Sequence, residues 1–75
     1  MATSIELKRV QLARTDRHIA DCKAILARQR ELLRGLVERG QSTESAEDTL
    51  NVVEATLRTL ERHRQIISDG LRGTG

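Results

Sequence analysis

Leu33-Arg34-Gly35-Leu36-Val37-Glu38-Arg39-Gly40-Gln41-Ser42-Thr43-Glu44-Ser45-Ala46-Glu47-Asp48-Thr49-Leu50 holds the reading that decides the fold. Aliphatic residues run at helical spacing up to Leu36. Gly40 then offers the left-handed conformation that closes a helix, with Arg39 in the last turn at the negative end of its dipole. Gln41-Ser42-Thr43 follows as a turn. Ser42 or Thr43 supplies a side-chain oxygen to cap a second helix, and Glu44, Glu47 and Asp48 load its first turn with negative charge. Neither candidate cap has Glu or Gln three residues on, so no capping box is expected there. The stretch reads as helix, tight turn, helix.

On the N-terminal side of the turn an aliphatic residue recurs every seven positions, at Ile5, Leu12, Ile19, Leu26 and Leu33. The second core position of each repeat holds Lys8, Thr15, Cys22, Gln29 and Leu36, mostly polar or small. There is no proline in the chain and no glycine before Gly35, so nothing breaks a helix over this half. A helix over about 4–39 is expected, about 54 Å long at 1.5 Å per residue. On the C-terminal side, Ala46, Leu50, Val53, Leu57, Leu60, Arg64, Ile67 and Leu71 alternate in steps of four and three. That spacing is a coiled-coil seam on which Arg64 alone is not apolar. It predicts a helix over about 44–69, with Gly70, Gly73 and Gly75 fraying a tail over 70–75.

The fold class expected is all-α: one domain over 1–75, an antiparallel two-helix hairpin of coiled-coil type joined at 40–43. Pairing outward from the turn sets Leu36 near Ala46, Leu33 near Leu50, Gln29 near Val53, Leu26 near Leu57 and Cys22 near Leu60. Ile19 then meets His63 and Arg64, and Thr15 meets Ile67. The first helix outruns the second by roughly ten residues in this register, leaving Ile5, Leu7 and Val10 without a partner in the same chain. Below about 70–80 residues a single core seldom supplies more than ~3–5 kcal/mol. Ile25, Leu32, Val37, Val52 and Ile66 flank the seam and make the apolar faces broader than two helices need. A homodimer, two hairpins closing into a four-helix bundle, satisfies both demands. The residues expected to form the core or the dimer contact are Ile5, Leu12, Ile19, Ile25, Leu26, Leu32, Leu33, Leu36, Leu50, Val53, Leu57, Leu60 and Ile67.

Composition narrows the function classes. Hydrophobic residues make 37% and charged residues 32%, with no aromatic residue. No apolar run is long enough to span a membrane. Met1 to Lys8 carries Glu6 and Lys8 where a secretory signal needs an apolar core, so a cytoplasmic location is expected. One cysteine excludes an intrachain disulfide framework. Residues 1–40 hold nine Lys/Arg against five Asp/Glu, and residues 41–75 hold four against six. Two helices of opposite sign lying side by side account for this asymmetry more simply than a nucleic-acid face.

His18, Cys22 and His63 are the residues of metal-binding type. His18 and Cys22 share a helical face, the hairpin register brings His63 alongside, and thiolate with imidazole suits zinc. Against such a metal or redox sensor stand the seam position of Cys22, where a free cysteine behaves as a small hydrophobe, and the neighbouring Arg17, Arg62 and Arg64. No cofactor, metal or catalytic residue is expected. Arg14, Arg17, Arg58, Arg62 and Arg64 would form a basic stripe able to grip phosphates. Repressor-of-primer proteins are a precedent for that in architecture alone. The chain offers no aromatic side chain for base stacking, and Asp16, Asp21, Glu54 and Glu61 interrupt the stripe, suggesting ion pairs such as Asp21 with Lys23 or Arg28 and Arg58 with Glu54 or Glu61. Arg64 breaks the seam either to fix register or because it lies at the rim and snorkels.

Arg17-His18-Ile19-Ala20, Arg28-Gln29-Arg30-Glu31-Leu32-Leu33, Leu36, Gly40, Thr43, Ala46-Glu47, Leu50, Leu57, His63-Arg64 and Ile67 together resemble a group of short bacterial helical-hairpin proteins to which no activity is attached. The likeness spans roughly residues 15–70 and omits Cys22. It implies a small bacterial protein with a hairpin fold and brings no ligand or catalytic residue. The expected function is non-enzymatic, through homo-oligomerisation and contacts with an unidentified protein partner. A small nucleic-acid-binding regulator is the alternative, and a sensor built on His18, Cys22 and His63 the third reading.

Overall fold

Thr3-Ser4-Ile5-Glu6 sets the start of the first helix. The Glu6 amide donates to Thr3 Oγ1 at 3.1 Å, and the Thr3 amide donates to Glu6 Oε2 at 3.1 Å. This reciprocal capping box satisfies two amides that a helix start leaves open. The computed structural model describes residues 3–73 and forms two helices, α1 (Ser4–Glu38) and α2 (Glu44–Gly73).

The turn closes as its glycine requires. Arg39 is the C-cap of α1 and Gly40 follows with φ +66°, a conformation that costs a residue with a Cβ about 1–2 kcal/mol. The Gly40 amide donates to the Val37 carbonyl at 3.1 Å and the Gln41 amide to the Leu36 carbonyl at 2.9 Å. Those two bonds make a Schellman motif. Arg39 therefore stands at the cap itself, where its Nε donates to Gln41 Oε1 at 3.2 Å. Of the two candidate caps of α2, Thr43 takes the position: its carbonyl accepts the first bond of the helix, from Glu47 at 2.9 Å.

The hairpin is a rod whose extents are 56 × 17 × 15 Å. Ile19 and Leu26 of α1 and Ala46, Leu50 and Ile67 of α2 are its buried apolar residues, with Thr15 buried between them. Leu12, Cys22, Leu33, Leu36, Val53, Leu57, Leu60 and Leu71 continue the seam half-buried. Among the described residues no large side chain is completely buried. A pair of helices touches along one stripe, so each seam residue keeps an edge in water. Within the hairpin, Ile5, Ile25 and Leu32 do not join the core; they are 40%, 36% and 48% exposed.

The expectation of a frayed tail from residue 70 is corrected. α2 continues through Gly70 to Gly73, while Thr74 and Gly75 lie outside the described residues. Two interactions offset the helix-weakening glycines. Leu71 occupies a seam position and is half-buried, and Arg72 pairs with Asp69 one turn back, a favourable arrangement at a helix C-terminus. Lys8 lays its side chain over Gly70, where an added Cβ would meet Lys8 Nζ at 3.5 Å. α1, with 35 residues, consequently exceeds the 30 of α2 by far less than ten. Ile5, Leu7 and Val10 remain exposed nonetheless.

Candidate association surface and ligand-type residues

Two cross-helix ion pairs report the register. Arg64 Nε donates to Asp16 Oδ1 at 2.5 Å, and Arg30 Nη2 lies 3.7 Å from Glu54 Oε1. Both agree with the expected placement of Arg64 by Ile19 and of Val53 by Gln29. The side chains of Arg64 and Asp16 are 43% and 47% exposed, so Arg64 leaves the seam for the rim and pairs there. Such a pair contributes about 0.2–1 kcal/mol, less in salt. Glu54 reaches across to Arg30 rather than along its own helix to Arg58. Among the described residues the pairs within one helix are Arg34 with Glu31 and Arg72 with Asp69; no pair joins Asp21 to Arg28.

The two flanks of the seam differ in kind. On one, the positions beside the seam are Arg9, Asp16, Lys23, Arg30 and Val37 of α1 and Glu47, Glu54, Glu61 and Ser68 of α2. Both cross-helix ion pairs lie on this flank. On the other, the corresponding positions are Gln11, His18, Ile25 and Leu32 of α1 and Thr49, Thr56, His63 and Gly70 of α2, with no Asp, Glu, Lys or Arg among them. Val52, Thr59 and Ile66 extend this second flank outward along α2, with Val52 and Ile66 66% and 64% exposed.

The threonines make the uncharged flank more apolar than its composition suggests. Thr49, Thr56 and Thr59 donate their hydroxyls to the carbonyls of Ser45, Val52 and Ala55, four residues back, at 3.0, 2.9 and 3.1 Å. With the hydroxyl hydrogens engaged on their own helix, these side chains present methyl groups to what lies outside. Two shallow hollows open on the flank and share Leu60. One, of about 400 Å³, is lined by Val52, Ala55, Thr56, Thr59 and Leu60; the other, of about 230 Å³, by Gln11, Arg14, Thr15, His18, Leu60 and His63.

The second hollow shows where the ligand-type residues fall. His18 and His63 come together at one groove, as the register implies, while Cys22 does not line it and is half-buried rather than buried. Among the described residues no three His, Cys, Asp or Glu side chains are placed to hold a metal ion. The arginines do not form one stripe. Arg64 is engaged by Asp16, and Arg14 borders the His18–His63 groove. Arg17 and Arg62 each stand opposite the seam on their own helix, hence on opposite edges of the hairpin, and Arg17 lines a hollow with Val10, Ala13 and Arg14. Among the described residues no helix is long and apolar enough to cross a membrane.

The uncharged flank could have been read from the chain, because its two columns repeat every seven residues beside the seam. The Thr3–Glu6 capping box was equally legible as Thr-x-x-Glu. No family model, curated protein or solved structure matches the chain.

Proposed function

We propose that this chain is a non-enzymatic, cytoplasmic helical-hairpin protein that works by association, first with itself as a homodimer and then through protein–protein contacts. The observation that carries the reading is the balance of apolar surface. Among the described residues five apolar ones are buried in the hairpin, whereas eight large aliphatic residues (Ile5, Leu7, Val10, Ile25, Leu32, Val37, Val52 and Ile66) are 36–66% exposed. In a chain this small, the seam alone supplies little stability, and association is one of the few ways to add burial. A non-enzymatic role is supported by the hollows, which are open troughs along the helices. The hollow of about 400 Å³ is lined by aliphatic and threonine side chains with no convergence of charged groups.

Sedimentation equilibrium of the purified chain tests the reading. A dimer or larger species at micromolar concentration is expected. A stable, helical monomer at that concentration would remove self-association from the account. Affinity capture from native lysate, with and without nuclease treatment, tests the wider role: a stoichiometric protein partner that survives nuclease supports it, and a signal lost entirely on nuclease treatment would replace it with nucleic-acid binding.

A further inference from the structure

We infer that the uncharged flank, the side of the hairpin carrying Ile25, Leu32, Thr56, Val52 and Ile66, is the surface on which a second copy of this chain docks. The inference rests on the self-association proposed above and names the face that performs it.

Three observations select this flank and this occupant. On the charged flank Arg30 pairs with Glu54 and Asp16 with Arg64 within the hairpin, and covering that flank would desolvate both pairs together with Arg9, Lys23, Glu47 and Glu61. The uncharged flank has no ion in the two columns beside the seam, Arg14 bordering one of its hollows from the next column out, and its threonine hydroxyls are already donated to backbone carbonyls. A contact between two copies here sets no like charges against each other at the centre, while a highly charged foreign partner would find no counter-charge in these two columns.

Size points to a hairpin rather than a lone helix. The columns of this flank run from Gln11 to Leu32 and from Thr49 to Gly70, about 32 Å at 1.5 Å per residue, and over the 17 Å width of the hairpin they cover on the order of 500 Å² on each copy, a small interface beside the roughly 800 Å² per partner of a standard one. A single foreign helix is about 10 Å wide with its side chains and leaves part of the flank open. A second hairpin spans both helices and closes the seam edges of Leu57 and Leu60, which one hairpin leaves half-exposed.

Val52 and Val37 provide a matched test, being 66% and 62% exposed in the hairpin and lying on opposite flanks. Val52→Lys is expected to raise the dimer dissociation constant by at least about 100-fold, because two-fold symmetry places the unpaired charge in the contact twice. Ile66→Lys should act in the same direction, and Val37→Lys should leave the constant within about threefold of the parent. A charged variant that loses its partner can lose helix with it, so a gentler readout runs beside it. Val52→Cys and Val37→Cys, each in a Cys22→Ala background, are alkylated at concentrations where the parent is a dimer. The expected result is a rate at least about tenfold slower for Val52→Cys, the two rates converging on dilution into the monomer range. Equal rates in a dimeric protein, or protection of Val37→Cys instead, would overturn the choice of flank while leaving self-association standing. A parent chain that is monomeric throughout would overturn both.

Discussion

Leu26→Ala tests the seam on which the rest depends. Leu26 is 4% exposed, so nearly all of its side chain leaves water on folding. At about 0.8 kcal/mol per buried CH₂ group, the three carbons removed account for ~2.4 kcal/mol. A residual cavity adds to that, and measured Leu→Ala costs run from about 2 to 5 kcal/mol. The two helices meet along a single seam and can close partly over the gap, which favours the lower half of the range, about 2–3.5 kcal/mol. That is most of the ~3–5 kcal/mol expected from a small core. With a urea m-value of about 1 kcal/mol/M for a small chain, the midpoint should fall by about 2–3.5 M at fixed protein concentration, followed by helical circular dichroism. Val37→Ala, at an exposed site, should stay within about 0.5 kcal/mol. If the two variants melt alike, Leu26 is not packed against α2 and the register is wrong.

Gly40→Ala should destabilise by about 1–2 kcal/mol through its left-handed φ, whereas Gly35→Ala and Gly70→Ala, in helical conformation, should each stabilise by about 0.5–1 kcal/mol. At Gly35 the added methyl meets only the movable end of Arg39, at 3.1 Å from Nη1. Thermal melts of the three proteins check the contrast, and a gain for Gly40→Ala would contradict the Schellman turn. A double-mutant cycle on Asp16→Asn and Arg64→Gln should return a coupling of about 0.2–1 kcal/mol that shrinks in salt; zero coupling at low salt would mean Arg64 is not held at the rim. Cys22→Ala should leave the assembly state and the zinc content after chelator-free purification unchanged. Near-stoichiometric zinc in the parent, lost in that variant, would make His18, Cys22 and His63 a metal site and displace the present reading.

Much of this fold was legible because one rule governs most of it. A seven-residue repeat with a glycine-closed turn leaves few arrangements, and the register that the Arg30–Glu54 pair reports follows from counting back from Gly40. Where two rules compete, counting was not enough. Gly70 and Gly73 argue for fraying, yet Leu71 between them sits on the seam, and its packing with the Asp69–Arg72 pair carries the helix onward. Arg64 was open between two roles because both fit a charged seam residue; only the position of Asp16 decides for the rim.

The proposed association surface was half legible. Ile25, Leu32, Val52 and Ile66 stood out as surplus apolar residues, but as a list they have no direction. The arrangement of charge supplies it, since the ions beside the seam gather on the opposite flank. The threonine contribution was beyond the sequence, because the hydroxyl of Thr56 has a choice between solvent and the Val52 carbonyl, and its rotamer makes that choice. Arg17 and Arg62 do not share a stripe for a simple geometric reason: residues opposite the seam on two paired helices point apart.

The central claim is that folding of this hairpin is coupled to its association with a second copy, and the thermal midpoint as a function of protein concentration tests it most directly. For a dimer that unfolds to separate chains, a hundredfold dilution removes about 2.7 kcal/mol. At about 2–4 °C per kcal/mol for a two-chain unit of this size, the midpoint should fall by roughly 5–10 °C. A midpoint that does not move over that dilution would show a hairpin that stands alone, and would contradict the account.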